Sequence, residues 1–347
     1  MPPRLPPNLL DRSAQESARL LALNYLDQID RAERRLATPS DKEALHDFRV
    51  GLRRLRSSLS AYRTELEDSV TPSMRRRVRD LARATSEGRD AEVQLEWLGK
   101  QAERLAAEDV PGFFWLVGRL EDRKQATLDQ TTAEVSRKYH KPAGKLRRAL
   151  GVLTIELQAG QGATLPTFRE VTGALTIRQV ARLRHDLGAI AGSSDVDQAH
   201  RARISLKRLR YLLEPIARRN RRAAALVRLF REAQDLLGEH HDMHILSGAM
   251  ASLRSELSGN GAGRVEPGLA TLVRLADEAA AAAFERFQSL WSDDMAGWIL
   301  TRAEELGRSL EEQLMPAGNG ARPAPAEPVA PEPPRLTGQP PMITGAG

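Results

Sequence analysis

One element occurs twice in the same order, and it constrains the fold more than any other feature of the chain. The first copy is Leu45-His-Asp-Phe-Arg-Val-Gly-Leu-Arg-Arg-Leu-Arg56, and the second is Ala199-His-Arg-Ala-Arg-Ile-Ser-Leu-Lys-Arg-Leu-Arg210. Both read His-x-x-Arg-[Val/Ile]-x-Leu-[Arg/Lys]-Arg-Leu-Arg, 154 residues apart. Further along, Arg76-x-x-Arg79 and Glu87-x-x-Asp90 recur as Arg228-x-x-Arg231 and Glu239-x-x-Asp242, 152 residues apart. Two related elements at nearly one offset mark a duplicated unit within 347 residues.

Around these elements the apolar residues keep a helical period. Segments of that kind run over 12–37, 40–66, 72–108, 112–140, 174–192, 195–219, 222–258, 267–291 and 293–314. Ser40 with Glu43 reads as a capping box, Thr71-Pro72 puts proline at a first helical position, and Pro111 and Pro267 follow similar caps. Only 152–157 alternates like a strand, so the fold class is all-α. Residues 1–10 are expected to be flexible, 11–157 and 174–315 to form the two halves, and 158–173 to link them. The segment 316–347, with nine prolines and five glycines, lacks the apolar surface to offset its ordering entropy and is expected to be disordered.

Placed on a helix, residues 45–63 carry two stripes. Leu45, Phe48, Leu52, Leu55, Leu59 and Tyr62 are spaced 3-4-3-4-3 and form a packing seam. One position on, His46, Arg49, Arg53 and Arg56 form a cationic row about 100° away, with Arg54 beside it. The second copy repeats this. Ala199, Ala202, Leu206, Leu209, Leu213 and Ile216 make the seam; His200, Arg203, Lys207 and Arg210 make the row, with Arg208 beside it. Like charges three and four residues apart repel, and residues 46–56 hold no acid within the row. A solvated basic face is the ordinary meaning of one such run. Two in matched register favour a polyanion as the missing counter-charge. Arg76, Arg79 and Arg83, and in the second half Arg228 and Arg231, extend the cationic surface.

Composition supports an anion-binding reading and removes several others. Of 52 cationic residues seven are lysines and 45 arginines, against 46 acids, for a net charge of +6. Guanidinium is a planar, always-charged fork that matches phosphate oxygens, although a bias toward arginine codons also raises the count. With no cysteine, thiolate nucleophiles, disulfides and Cys-type metal sites are excluded. No signal peptide or membrane-length apolar run is present, so a cytoplasmic location and no membrane partner are expected.

These residues resemble the CHAD domain, the conserved histidine α-helical domain, over about 10–315. The resemblance implies two similar four-helix bundles around a basic central cavity, binding of inorganic polyphosphate and association with polyphosphate granules. The implied binding set is His46, Arg49, Arg53, Arg54 and Arg56 with His200, Arg203, Lys207, Arg208 and Arg210, extended by Arg76, Arg79, Arg83, Arg228 and Arg231. Where the second half has His241-Asp242 the first has Arg89-Asp90, so Arg89 is added to the set while its counterpart is not. Relatives are often fused to a triphosphate-tunnel (CYTH) domain bearing Glu-x-Glu-x-Lys. That motif is missing here, and a stand-alone, monomeric, non-enzymatic module without cofactor or catalytic residues is expected.

Two rival readings stay open. His240-His241-Asp242-Met243-His244 has i,i+3 and i,i+4 spacings suited to a metal ion, with His185 or His200 as further ligands, but cations nearby disfavour it. RNA offers the same phosphates as polyphosphate. Single-strand binders add aromatic stacking platforms, however, and only Tyr211 lies near a cationic row.

Overall fold

The computed structural model describes residues 5–38, 40–41, 43–85, 89–152, 165–257 and 262–312, without the side chains of 89–90 and 127–136. Eleven α-helices cover most of them: α1 (Ala14–Arg35), α2 (Glu43–Ala61), α3 (Pro72–Ala84), α4 (Arg89–Gln101), α5 (Val110–Lys138), α6 (His140–Gly151), α7 (Phe168–Gly188), α8 (Val196–Ala217), α9 (Arg221–Glu256), α10 (Ala262–Leu290) and α11 (Asp293–Glu312). Among the described residues, β pairing is confined to one bridge between Ser13 and Thr167. The fold is all-α. The strand candidate 152–157, beyond Val152, and the segment 316–347 lie outside the described residues.

Helix starts follow local chemistry. Thr71 accepts from the Met74 amide at 3.3 Å with Pro72 opening α3, as the sequence predicts. Ser40 does not cap α2. That helix opens at Glu43, and the Asp41 carboxylate takes the backbone N–H groups of Glu43 and Ala44 while holding Arg35. Pro267 sits inside α10, five residues past its start. The stretch 72–108 is two helices, α3 and α4, broken near Thr85.

The seam residues of both copies are buried, each such Leu or Phe contributing about 1.5–3 kcal/mol. They belong to different cores. The α2 seam packs with α1, α3 and α6, and the α8 seam packs with α9, α11 and the C-terminal part of α10. A third core joins Leu98 of α4 and Leu116 and Leu120 of α5 to Met243, Leu246, Met250, Leu269 and Leu272 of α9 and α10. Sequence halves are therefore interlocked: α4 and α5 lie against helices of the second half.

Two boundaries differ from expectation. Residues 168–173, assigned to a linker, begin α7 under a full capping box of Thr167 and Glu170. Phe168 enters the first core, 4.8 Å from the Tyr62 ring, and Tyr62 and Thr172 share a hydrogen bond of 3.0 Å. The N-terminal segment is anchored too. Leu9 is buried in the first core, and Arg219 donates to the Pro7 carbonyl. Leu5, Leu9 and Leu10 supply enough apolar surface to dock it.

Helices α5 and α10 approach closely at paired glycines. A Cβ on Gly112 of α5 would lie 2.8 Å from the Gly268 Cα of α10, and one on Gly268 would lie 2.9 Å from the Gly112 Cα. The obstruction is backbone, which cannot rotate aside. Such a contact holds α5 on α10, and with it the third core.

Candidate functional site

Helices α2 and α8 pack against each other and bring the two cationic rows together. The tie is explicit: Arg54 Nε donates to Glu214 Oε2 at 2.8 Å, and Arg210 Nε lies 3.5 Å from Glu214 Oε1. Beside that tie the cations are crowded. Arg56 loses proton affinity to burial and, against a favourable effect from Tyr211, to Arg53, Arg208 and Arg79. Lys207 is pushed down to about 8 by burial and then by Arg203, Arg56, Arg53 and Arg210. Cations of two helices 154 residues apart in sequence thus act on one amine. Arg53, Arg56, Arg203, Lys207 and Arg210 are half-buried, and Arg79 and Arg208 are exposed, so the cluster borders solvent.

Such a cluster opposes its own folding by Coulomb repulsion in a partly dry setting. The structure relieves part of it. Glu214 holds Arg54 and Arg210, and Arg49 is turned inward, 4% exposed, donating to the Thr85 carbonyl and lying 3.2 Å from Glu92. Arg49, read from sequence as a ligand-binding group, is therefore a buried tie between α2 and α4. The row is also less unbalanced than the sequence of α2 implies, because Glu92 and Glu214 arrive from other helices. Arg203, the matching residue of the second copy, lies across α9. A Cβ on Gly238 would sit 3.2 Å from its Nε, so glycine leaves room for the guanidinium.

The histidines part company. His46 is exposed. The His200 and His241 rings lie 4.4 Å apart at 43°, and the Nδ1 atoms of both are buried without a hydrogen-bond partner. Both are held neutral. His200 is lowered by burial and then by Arg203 and Lys207, with Asp197 opposing. His241 is pushed to about 4 by burial and then by His200, Arg203, His240 and His244. Sequence reasoning left His241 out of the binding set; the signal for including it was its match to Arg89.

The remaining candidates are scattered. Arg76 and Arg83 are exposed on α3. Arg228 and Arg231 line a cavity of about 600 Å³ that also holds Glu232, Asp235, Glu239 and Arg286, a mixed-charge surface unlike the cluster. The side chain of Arg89 lies outside the described residues.

The metal reading loses its geometry. His240 is buried, its Nδ1 3.0 Å from the Ala280 carbonyl and its ring against Phe284, whereas His244 is exposed. Among the described residues no group of three or more His, Asp or Glu side chains is placed to hold an ion. Tyr211 offers no stacking platform either, since it is 7% exposed with the Arg210 guanidinium 4.7 Å above its ring.

The CHAD domain model matches residues 21–251, two thirds of the chain. The chain belongs to the CHAD domain family. Within that match fall both rows, α2, α8 and the part of α9 that carries His241. No curated protein matches the sequence. Among solved structures, PptA from Streptomyces chartreusis superposes with a TM-score of 0.63 at 16% identity, covering 81% of this chain and 100% of that one. The crystal structure of the CHAD domain from the plant Ricinus communis gives 0.58 at 20% identity, covering 85% and 92%. At these identities the likeness is one of fold. Among the described residues no helix is long and apolar enough to cross a membrane.

Proposed function

We propose that this CHAD domain binds inorganic polyphosphate along the cationic surface where α2 and α8 meet and breaks no bond in doing so. The observation that carries the reading is the convergence of Arg53 and Arg56 with Arg203, Lys207 and Arg210 on one solvent-bordering surface. A flexible chain with one negative charge per phosphate supplies the counter-charge the protein withholds. Guanidinium forks take successive phosphoryl oxygens in bidentate fashion, and the release of condensed counter-ions drives association. Arg79 and Arg208, exposed beside Arg56, widen the track, and His200 and His241 lie along it in the second half. Arg54 and Glu214 hold the two helices in register. Association with polyphosphate granules follows from the same contacts.

A guest without bases fits better than RNA, because the aromatic beside the row is buried and capped by Arg210. The test is titration with polyphosphate of defined length, comparing the native chain with Arg53→Ala/Arg56→Ala/Arg203→Ala/Lys207→Ala. Binding should disappear from the variant while its helical circular dichroism survives. Undiminished binding by a folded variant overturns the reading, and displacement of polyphosphate by single-stranded RNA at equal phosphate concentration redirects it to nucleic acid.

A further inference from the structure

Lys207 differs from every other described lysine. Lys100, Lys124, Lys138, Lys141 and Lys145 are exposed, and Lys100 is paired with Glu96 at 2.8 Å. Lys207 is half-buried on α8 with Arg203 one turn before it and Arg210 one turn after it on the same face, and α2, which carries Arg53 and Arg56, packs against α8. These four guanidinium groups are the charged groups acting most strongly on it. An amine so placed combines two properties that seldom coincide. The neighbouring guanidinium groups gather small anions, and the amine, unlike those guanidinium groups, is a nucleophile once it is neutral.

We propose that Lys207 is a modification site for anionic acyl donors of the acyl phosphate class. The phosphate of the donor rests on the guanidinium groups of Arg53, Arg56 and Arg203, which sets its carbonyl beside Nζ. The lone pair of the neutral amine attacks the carbonyl carbon, the N–C bond forms, and the C–O bond to phosphate breaks. Its electron pair leaves on inorganic phosphate, and the amine proton passes to phosphate or water. No oxidant or cofactor is needed. The cationic neighbours also stabilise the departing dianion. With its affinity lowered to about 8, a large share of the amine is neutral at about pH 8, where an ordinary lysine is almost wholly ammonium. The product amide is uncharged, so acylation removes one cation from the middle of the cluster. The reactivity stands on the arginine cluster alone, whereas its consequence for ligand binding rests on the polyphosphate reading above.

The experiment is incubation of the full chain with acetyl phosphate at about pH 8, where a side chain of that affinity is half neutral, followed by peptide mass spectrometry over time. Lys207 should be acetylated about tenfold faster than the five exposed lysines, its surplus of free amine being partly offset by weaker nucleophilicity. The preference should vanish in about 1 M salt, where the screening length falls to about 3 Å, and in Arg53→Ala/Arg56→Ala. Acetylation of Lys207 at or below the rate of the exposed lysines overturns the proposal. Added long-chain polyphosphate separates the two readings. Selective labelling that polyphosphate fails to slow keeps this inference and sinks the ligand assignment; unselective labelling in a chain that binds polyphosphate does the reverse.

Discussion

Glu214 of α8 accepts from Arg54 of α2 across 160 residues of sequence, at 2.8 Å. The carboxylate side chain is 12% exposed and the guanidinium 31%. This pair fastens the two repeated helices at the point where their cations would otherwise push them apart. Arg54→Ala leaves Glu214 with only the longer contact to Arg210, and the half-buried carboxylate bears the cost. The expected loss is about 1–3 kcal/mol of stability in urea unfolding. Arg54→Ala/Glu214→Ala should recover part of that loss; a double-mutant cycle with no coupling would show the pair to be incidental.

Arg49 and Arg53 occupy successive places in one row, but Arg49 is buried and Arg53 borders solvent in the proposed binding cluster. Arg49 is buried on Thr85 and Glu92, so Arg49→Ala should cost about 2–4 kcal/mol in stability and little in affinity once the fold is intact. Arg53→Ala should reduce affinity severalfold with the unfolding midpoint nearly unchanged. Paired unfolding and titration curves for the two variants check this, and equal effects on both readouts would contradict it.

Acid should weaken the fold through the histidine pair. His200 and His241 are depressed in the folded chain, His241 from 6.5 to about 4, so the unfolded state binds more protons between those values. Stability then rises with pH in that window and is lost as pH falls from about 6.5 toward 4, at less than about 1.4 kcal/mol per pH unit for His241. His241→Gln should flatten the slope. Bound polyphosphate should flatten it as well, because an anion beside the rings reverses the effect of Arg203 and Lys207, so binding takes up protons. Calorimetric titration in buffers of different ionisation enthalpy measures that uptake, and proton release on binding would contradict the account.

Gly268→Ala places a methyl group against the Asp109 carbonyl and the Gly112 backbone. A loss of about 1–3 kcal/mol is expected, since backbone must move to admit it. Thermal unfolding measures it. Gly99→Ala, which meets nothing within 4 Å, is the control and should be neutral or slightly stabilising.

Periodicity made much of this legible. The seams from Leu45 to Tyr62 and from Ala199 to Ile216 are buried as their 3-4-3-4-3 spacing demands, because that spacing belongs to one helix and needs no knowledge of its neighbours. What depends on neighbours was not legible. Nothing in α2 announces that Arg49 meets Glu92, that Glu214 comes to Arg54, or that α4 and α5 pack on α9 and α10. The short α6 escaped notice because it carries only two buried leucines, Leu146 and Leu150. The start of α7 was readable in Thr167 and Glu170, a capping pair passed over among the glycines of the preceding stretch.

The dependence of polyphosphate affinity on salt bears most directly on the central claim, that the guanidinium groups of two repeats share one anionic guest. With Arg53, Arg56, Arg203, Lys207 and Arg210 all engaged, the logarithm of the binding constant should fall against the logarithm of salt concentration with a slope near −3.5, at about 0.7 per neutralised phosphate on a flexible strand. A slope near zero, or one that Arg203→Ala/Lys207→Ala leaves unchanged, would mean that the two rows do not act on a common ligand.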